Sequence, residues 1–205
     1  MKILIFASPR SGSTALAVAL SKLLNFPKVL EPYNILNTNG ISDEQILNLK
    51  DNLPGSCVVK VSAKHMSREF FLEYVNLFDK VIYLTREDSK LAIESFYYAS
   101  HKKEFKNINY PGGSKWHLGY SFNSSGITMD EWIVKYINNS VEEVKTVAYI
   151  NKKSYIIYED LYSEDISLFN NALDSIDLSI DRIKLREILH PSKKYRKKIK
   201  TKTII

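Results

Sequence analysis

The amino-acid sequence predicts an α/β protein with a central parallel sheet flanked by helices in three layers. Three observations predict it. From residue 2 to about residue 100, short apolar runs rich in β-branched residues alternate with stretches of helical character, the sequence form of successive βαβ units. The first helical stretch carries Ala15, Leu16, Val18, Ala19, Leu20, Leu23 and Leu24, a broad apolar face suited to packing on a sheet. A chain of 205 residues with 44% apolar content is also long enough to bury a substantial core.

Taken in order, residues 3–6 read as the first strand and 14–24 as the helix that follows it. A short second strand is expected at 28–30. The acidic start and the Ile46/Leu47 pair point to a helix over 43–50, ended by Leu53-Pro54-Gly55. Residues 58–61 are the third strand. Phe70, Phe71, Tyr74, Val75 and Leu77 recur at helical spacing over 67–77, with Ser67 placed to cap and Glu69 in the first turn. Val81-Ile82-Tyr83-Leu84 forms the fourth strand and 89–103 a helix. Residues 106–126 are rich in Asn, Gly and Ser and carry Tyr110, Trp116, Tyr120 and Phe122. Such a loop is either a substrate lid or an excursion whose aromatics cover the core. A long helix over 129–149, a last strand over 155–158 and two short helices around 160–175 and 180–190 complete the reading.

This organisation implies one domain over residues 1–190 and a basic tail over 191–205. The formal net charge is +6, and Lys193, Lys194, Arg196, Lys197, Lys198, Lys200 and Lys202 crowd into that tail, leaving the remainder close to neutral. Charge of this kind serves nucleic acid, an anionic membrane surface or a phosphate-bearing small molecule, and a solvated terminus is the plainer reading. Cys57, the single cysteine, lies in an apolar run and reads as a small buried hydrophobe. The opening Met1-Lys2-Ile3-Leu4-Ile5-Phe6-Ala7 imitates a signal peptide, but its apolar run is short and Pro9-Arg10 follows at once. No apolar run approaches the ~20 residues of a membrane span, so the expected setting is cytoplasmic.

The segment with the most chemistry joins the first strand to the first helix, Ala7-Ser8-Pro9-Arg10-Ser11-Gly12-Ser13-Thr14. A strand feeding a small-residue loop that opens a helix aims unpaired backbone N–H groups at one point, and the helix dipole adds to them. That is a phosphate cradle, so the sheet is expected to be of the P-loop-like three-layer kind. The nucleoside-triphosphate pattern G-x-x-x-x-G-K-[ST] fails twice, because Ser13 stands in its lysine's place and Ala7 in the place of its first glycine. A serine-rich helix cap without a ligand is the bland alternative.

Pro9-Arg10-Ser11-Gly12-Ser13-Thr14 matches at every position the loop P-[KR]-[ST]-G-[ST]-[ST] of the PAPS-dependent sulfotransferases, and the chain resembles that family here. PAPS is 3′-phosphoadenosine 5′-phosphosulfate, and PAP is its desulfated product. The resemblance implies that Arg10, Ser11, Gly12, Ser13 and Thr14 bind the 5′-phosphosulfate, with Arg10 near the bridging oxygen. A second stretch, Thr85-Arg86-Glu87-Asp88-Ser89-Lys90-Leu91-Ala92-Ile93-Glu94-Ser95-Phe96-Tyr97-Tyr98, is similar to the family's 3′-phosphate site and makes Arg86 and Ser95 the counterparts of its arginine and serine. Guanidinium forks suit phosphate oxygens. A third, Tyr155-Ile156-Ile157-Tyr158-Glu159-Asp160-Leu161, looks like the family's strand with Y-E-D-L, and its polar residues are read as fixing the strand end and capping the next helix. The basic tail lies where family members bring a basic segment over the 3′-phosphate.

The family's cytosolic branch has a histidine two residues beyond a lysine on the third strand. Here Lys60 is kept and Ser62 replaces the histidine. Other branches use a glutamate after the second strand, and Glu31 stands there, before the turn that Pro32 imposes. Glu31 is therefore the expected general base, with His65 the alternative and His101 and His117 behind it. Lys60 would hold the transferring oxygens and Arg10 would neutralise charge on the leaving one. No residue set has metal-ligand spacing. The partners implied are PAPS and an acceptor hydroxyl or amine, of which a saccharide or small alcohol is one kind. Nucleic acid is not expected. Two rivals remain, a P-loop nucleoside or nucleotide kinase and a non-enzymatic adaptor binding nucleic acid through the tail.

Overall fold

The computed structural model describes residues 1–30, 53–63, 68–101, 129–176 and 178–190. The expected helix over 43–50, the aromatic loop over 106–126, Glu31, His65, His117 and the basic tail lie outside these residues, as does the side chain of His101. Five strands form one sheet: β1 (Lys2–Ala7), β2 (Lys28–Leu30), β3 (Cys57–Ser62), β4 (Lys80–Thr85) and β5 (Ile156–Ile157). Every pairing is parallel and the order across the sheet is β2-β3-β1-β4-β5. The described helices are α1 (Ser13–Leu24), α2 (Arg68–Tyr74), α3 (Ser89–His101), α4 (Met129–Ile150), α5 (Tyr158–Leu161), α6 (Ile166–Asp174) and α7 (Arg182–Leu189).

Alternation along β1 sorts the core into two layers. Ile3, Ile5 and Ala7 pack with Leu16 and Leu20 of α1, Phe169 of α6 and Leu185 of α7. Leu4 and Phe6 face the opposite way, against Phe70 and Phe71 of α2 and Val144 and Val147 of α4. Ala92 and Phe96 of α3 meet Ile133 and Ile137 of α4 in a third cluster. Helices thus cover both faces of a parallel sheet, the three-layer α/β fold expected of a P-loop-like protein. Cys57 is fully buried among apolar neighbours. Among the described residues, no helix is long and apolar enough to cross a membrane.

Strand order places the site. β1 lies between β3 and β4, with the registers Ala7↔Ser62 and Ala7↔Leu84 at its carboxyl end. The chain leaves β1 toward β2 on one side, then crosses from β3 to β4 on the other. The loop after β1 therefore opens at the point where the connections diverge, which is where open parallel sheets form their clefts. Leu16 and Leu20 are wholly buried, each contributing about 1.5–3 kcal/mol, so the first helix and its amino end are held firmly beside the sheet.

Two expectations need correction. The last strand spans only Ile156–Ile157, because Tyr158 already opens α5, whose turn carries the polar side chains toward the site. The helix expected over 67–77 is α-helical only to Tyr74 and tightens into a 3-10 turn over Val75–Leu77, which lets Tyr74, Val75 and Phe78 all bury beside β1 and β3.

Candidate functional site

The junction of β1 and α1 is built from two residues in the left-handed region, Arg10 at φ 63° and Gly12 at φ 75°. Glycine adopts that conformation freely, whereas arginine pays strain for it, and such strain persists only where the surroundings impose it. Those surroundings are visible. Ser11 Oγ donates to the Ser8 carbonyl at 2.7 Å, and the Ser8 N–H donates to the Leu84 carbonyl at 3.0 Å, so the loop is tied to its own start and to β4. Gly12 is the N-cap of α1, has no side-chain cap bond and precedes a first turn without acids. The amino end of α1 thus joins the strand and its small-residue loop without a capping side chain from Gly12 or an acid in its first turn.

Arg10 turns its guanidinium toward α3, where Nε donates to Ser95 Oγ at 3.0 Å. The sequence reading placed these two residues at different ends of the donor, and the fold brings them into direct contact across 85 positions of chain. Arg86, at the end of β4, donates through Nη1 to the Arg10 carbonyl at 3.3 Å. It also lies 3.4 Å from Glu159 Oε1 through Nε and 4.4 Å above the Tyr158 ring. Arg10, Arg86 and Ser95 thus form one connected group on the rim of the loop.

Lys60 comes from β3. It alternates with Val59 and Val61 and so projects to the α1 face, where it is 5% exposed and donates to Ser62 Oγ at 2.8 Å. Burial lowers its pKa to about 7, and the positive charge of Arg10 pushes in the same direction. An ammonium at that depth gains most from an anion in the neighbouring loop. Ser62, which stands where the cytosolic branch of the resembled family has a histidine, accepts that bond from Lys60.

One contributor escaped the sequence reading. Tyr162, one residue past the matched segment, donates its hydroxyl to the Gly12 carbonyl at 2.9 Å, and its ring stacks on Tyr158 at 4.5 Å. No local signal marks it, since only packing of α5 against the loop brings it there. Glu159 was expected to cap the following helix. Instead it accepts from the Glu87 and Asp88 N–H groups at 3.1 and 3.2 Å and so fixes the entry to α3, while Asp165 caps α6 by accepting from Ser167. A groove of about 340 Å³ opens beside Arg86, walled by Glu87 and Ser89 on one side and by Asn138, Val141, Glu142 and Lys145 of α4 on the other.

The fold and loop define a three-layer α/β protein with a phosphate-cradle type of strand, loop and helix junction at the cleft of its sheet. No family model and no curated protein matches the chain. Among solved structures, it is similar to deoxyadenosine kinase from M. mycoides with bound dATP, at 18% identity and a TM-score of 0.42, covering 85% of this chain and 100% of that one. The same kinase with dCMP and dCDP gives 15% identity and a TM-score of 0.40, covering 86% and 100%. A gluconokinase from Sinorhizobium meliloti 1021 gives 10% identity and a TM-score of 0.34, covering 74% and 95%. Likeness at that distance carries no activity to this chain, and the fold rests on the strand order itself.

Proposed function

We propose that the chain is a PAPS-dependent sulfotransferase that moves a sulfuryl group to a hydroxyl or amine of an acceptor. The observation that carries the reading is the 3.0 Å bond from Arg10 Nε to Ser95 Oγ, which joins two segments that each resemble that family. In this reading the N–H groups and hydroxyls of Ser11, Gly12, Ser13 and Thr14 hold the 5′-phosphosulfate. Arg86 and Ser95 serve the 3′-phosphate, and the Arg86 guanidinium, partly committed to Arg10 and Glu159, is held in place to do so.

The reaction is an in-line displacement through a loose transition state, in which positioning and charge stabilisation carry catalysis. The acceptor oxygen or nitrogen forms a bond to sulfur as the bond from sulfur to the 5′-phosphate oxygen breaks. The electron pair leaves with PAP, where Arg10 neutralises it. Lys60, protonated by the proximity of the bound anion, steadies the equatorial oxygens. Glu31 takes the acceptor's proton.

A P-loop nucleoside kinase is the second reading, and dATP, bound by the M. mycoides enzyme, is the kind of ligand it calls for. Against it stands Ser13 in place of the lysine that cradles β- and γ-phosphates. Calorimetry with PAP, PAPS and ATP, each with and without magnesium, decides between them. Binding of PAP and PAPS without magnesium, and poor binding of ATP, is the expected result. Tight magnesium-dependent ATP binding with no response to PAP overturns the sulfotransferase reading in favour of the kinase.

A further inference from the structure

Two carbonyl oxygens of the loop are gripped by side chains from outside it. Arg86 holds that of Arg10 at 3.3 Å, and Tyr162 holds that of Gly12 at 2.9 Å, an oxygen that also accepts the Leu16 N–H at 3.1 Å. No peptide bond among the described residues is cis. In a trans unit the N–H points opposite to the C=O, so turning those oxygens outward turns the N–H groups of Ser11 and Ser13 inward, to the concave side of the loop. With Arg10 and Gly12 both left-handed, the loop has the turned, N–H-rich form that favours anions.

Tyr162 is seated for this task. Its ring lies so near Gly12 that a Cβ there would come within 2.6 Å of it, and Tyr158 supports the ring from the other side. A hydroxyl held by such packing fixes a peptide plane before any ligand arrives, and donors aligned in advance lose no free energy to reorientation on binding. We propose that Tyr162 is a positioning residue of the anion cradle, whose hydroxyl sets the Gly12–Ser13 peptide so that the Ser13 N–H faces the bound anion. The inference rests on the reading of the loop as an anion site.

The test uses the full chain, labelled with ¹⁵N, and two probes, inorganic pyrophosphate and PAP. Tyr162→Phe keeps the ring, its stacking and its contact with Gly12, and removes only the hydroxyl. Both probes should bind more weakly by the same factor, roughly three- to tenfold, the effect of one neutral hydrogen bond. The downfield shift of the Ser13 amide on adding pyrophosphate should shrink, while Tyr149→Phe, at an exposed tyrosine of α4, leaves that shift and both affinities as they are in the unaltered chain. A residue that merely braced the fold would lower the melting temperature and leave the Ser13 shift intact in the folded fraction. The proposal is overturned by an unchanged pyrophosphate affinity in Tyr162→Phe, by a full Ser13 shift in that variant, or by an unaltered chain that does not bind pyrophosphate. If pyrophosphate binding depends on Tyr162 but PAP binds no better than pyrophosphate, the positioning role stands and the choice of PAPS as donor falls.

Discussion

Gly12 and Lys60 are the residues at which the site departs furthest from ordinary packing. At Gly12 a side chain meets two obstacles, a φ of 75° and the Tyr162 ring, whereas Gly55 has open space where a Cβ would go. Gly12→Ala should lower stability by at least the ~1–2 kcal/mol of a left-handed non-glycine residue, and Gly55→Ala should stay within about 0.5 kcal/mol. Urea unfolding of the two variants checks the contrast. Lys60 makes a prediction about pH. Its pKa is lowered to about 7 in the folded chain and returns to its ordinary value of 10.5 on unfolding. Between those values the unfolded chain holds the proton and the folded chain does not, so this group makes stability rise with pH across the window. Below pH 7 the lysine is protonated in both states and its contribution levels off. Lys60→Met should flatten the rise, measured as the difference between variant and unaltered chain in denaturant titrations from pH 6 to about 10.

At the scale of elements, the cradle depends on what surrounds it as much as on its own loop. α5 is a single turn, yet it sends Tyr162 to the loop and Glu159 to the entry of α3. Glu159 therefore links three parts, the N–H groups that open α3, the Arg86 guanidinium and the end of β5. Glu159→Ala should cost about 0.5–1.5 kcal/mol for its lost hydrogen bonds to the Glu87 and Asp88 N–H groups and release Arg86 from one of its partners. Affinity for PAP should fall further than that of a distant cap variant such as Asp181→Ala, whose side chain accepts from Lys184 at the start of α7. Equal PAP affinity in the two variants would show that Arg86 keeps its place without Glu159.

For the molecule as a whole, the proposed reaction separates binding from turnover. Glu31→Gln should leave PAP affinity nearly intact and lower the rate of transfer, or of slow PAPS hydrolysis, by roughly the 10²–10⁴ that general-base catalysis contributes. Full activity in that variant together with its loss in a His65 variant would move the base to His65. The charge of the tail gives a second whole-molecule prediction. Truncation after Pro191 removes the seven cationic side chains from Lys193 to Lys202. PAP binding should weaken and become less dependent on salt, because fewer positive charges then attract the anion. A chain that loses nucleic-acid binding and keeps PAP affinity unchanged would point instead to the adaptor reading of the tail.

Much of the architecture was legible in the sequence because it depends on local patterns. The apolar runs at 3–6, 58–61 and 81–84, the apolar face of 14–24 and the small-residue junction between the first strand and the first helix each reflect close neighbours in the chain, and they appear where the patterns put them, with α1 opening at Ser13. The length of the last strand was not legible, since β propensity in Tyr155-Ile156-Ile157-Tyr158 extends beyond the two residues that pair with β4. Nor could local pattern reveal that Arg10 and Ser95 touch, that Arg86 grips the Arg10 carbonyl, or that Tyr162 grips that of Gly12. The sequence by itself determined the layered α/β class and the loop on which an anion is proposed to sit, because hydrophobic periodicity and turn chemistry act over a few residues. Only the tertiary structure decided which distant side chains orient that loop, because those bonds exist only once a parallel sheet brings the ends of β1, β3, β4 and β5 side by side.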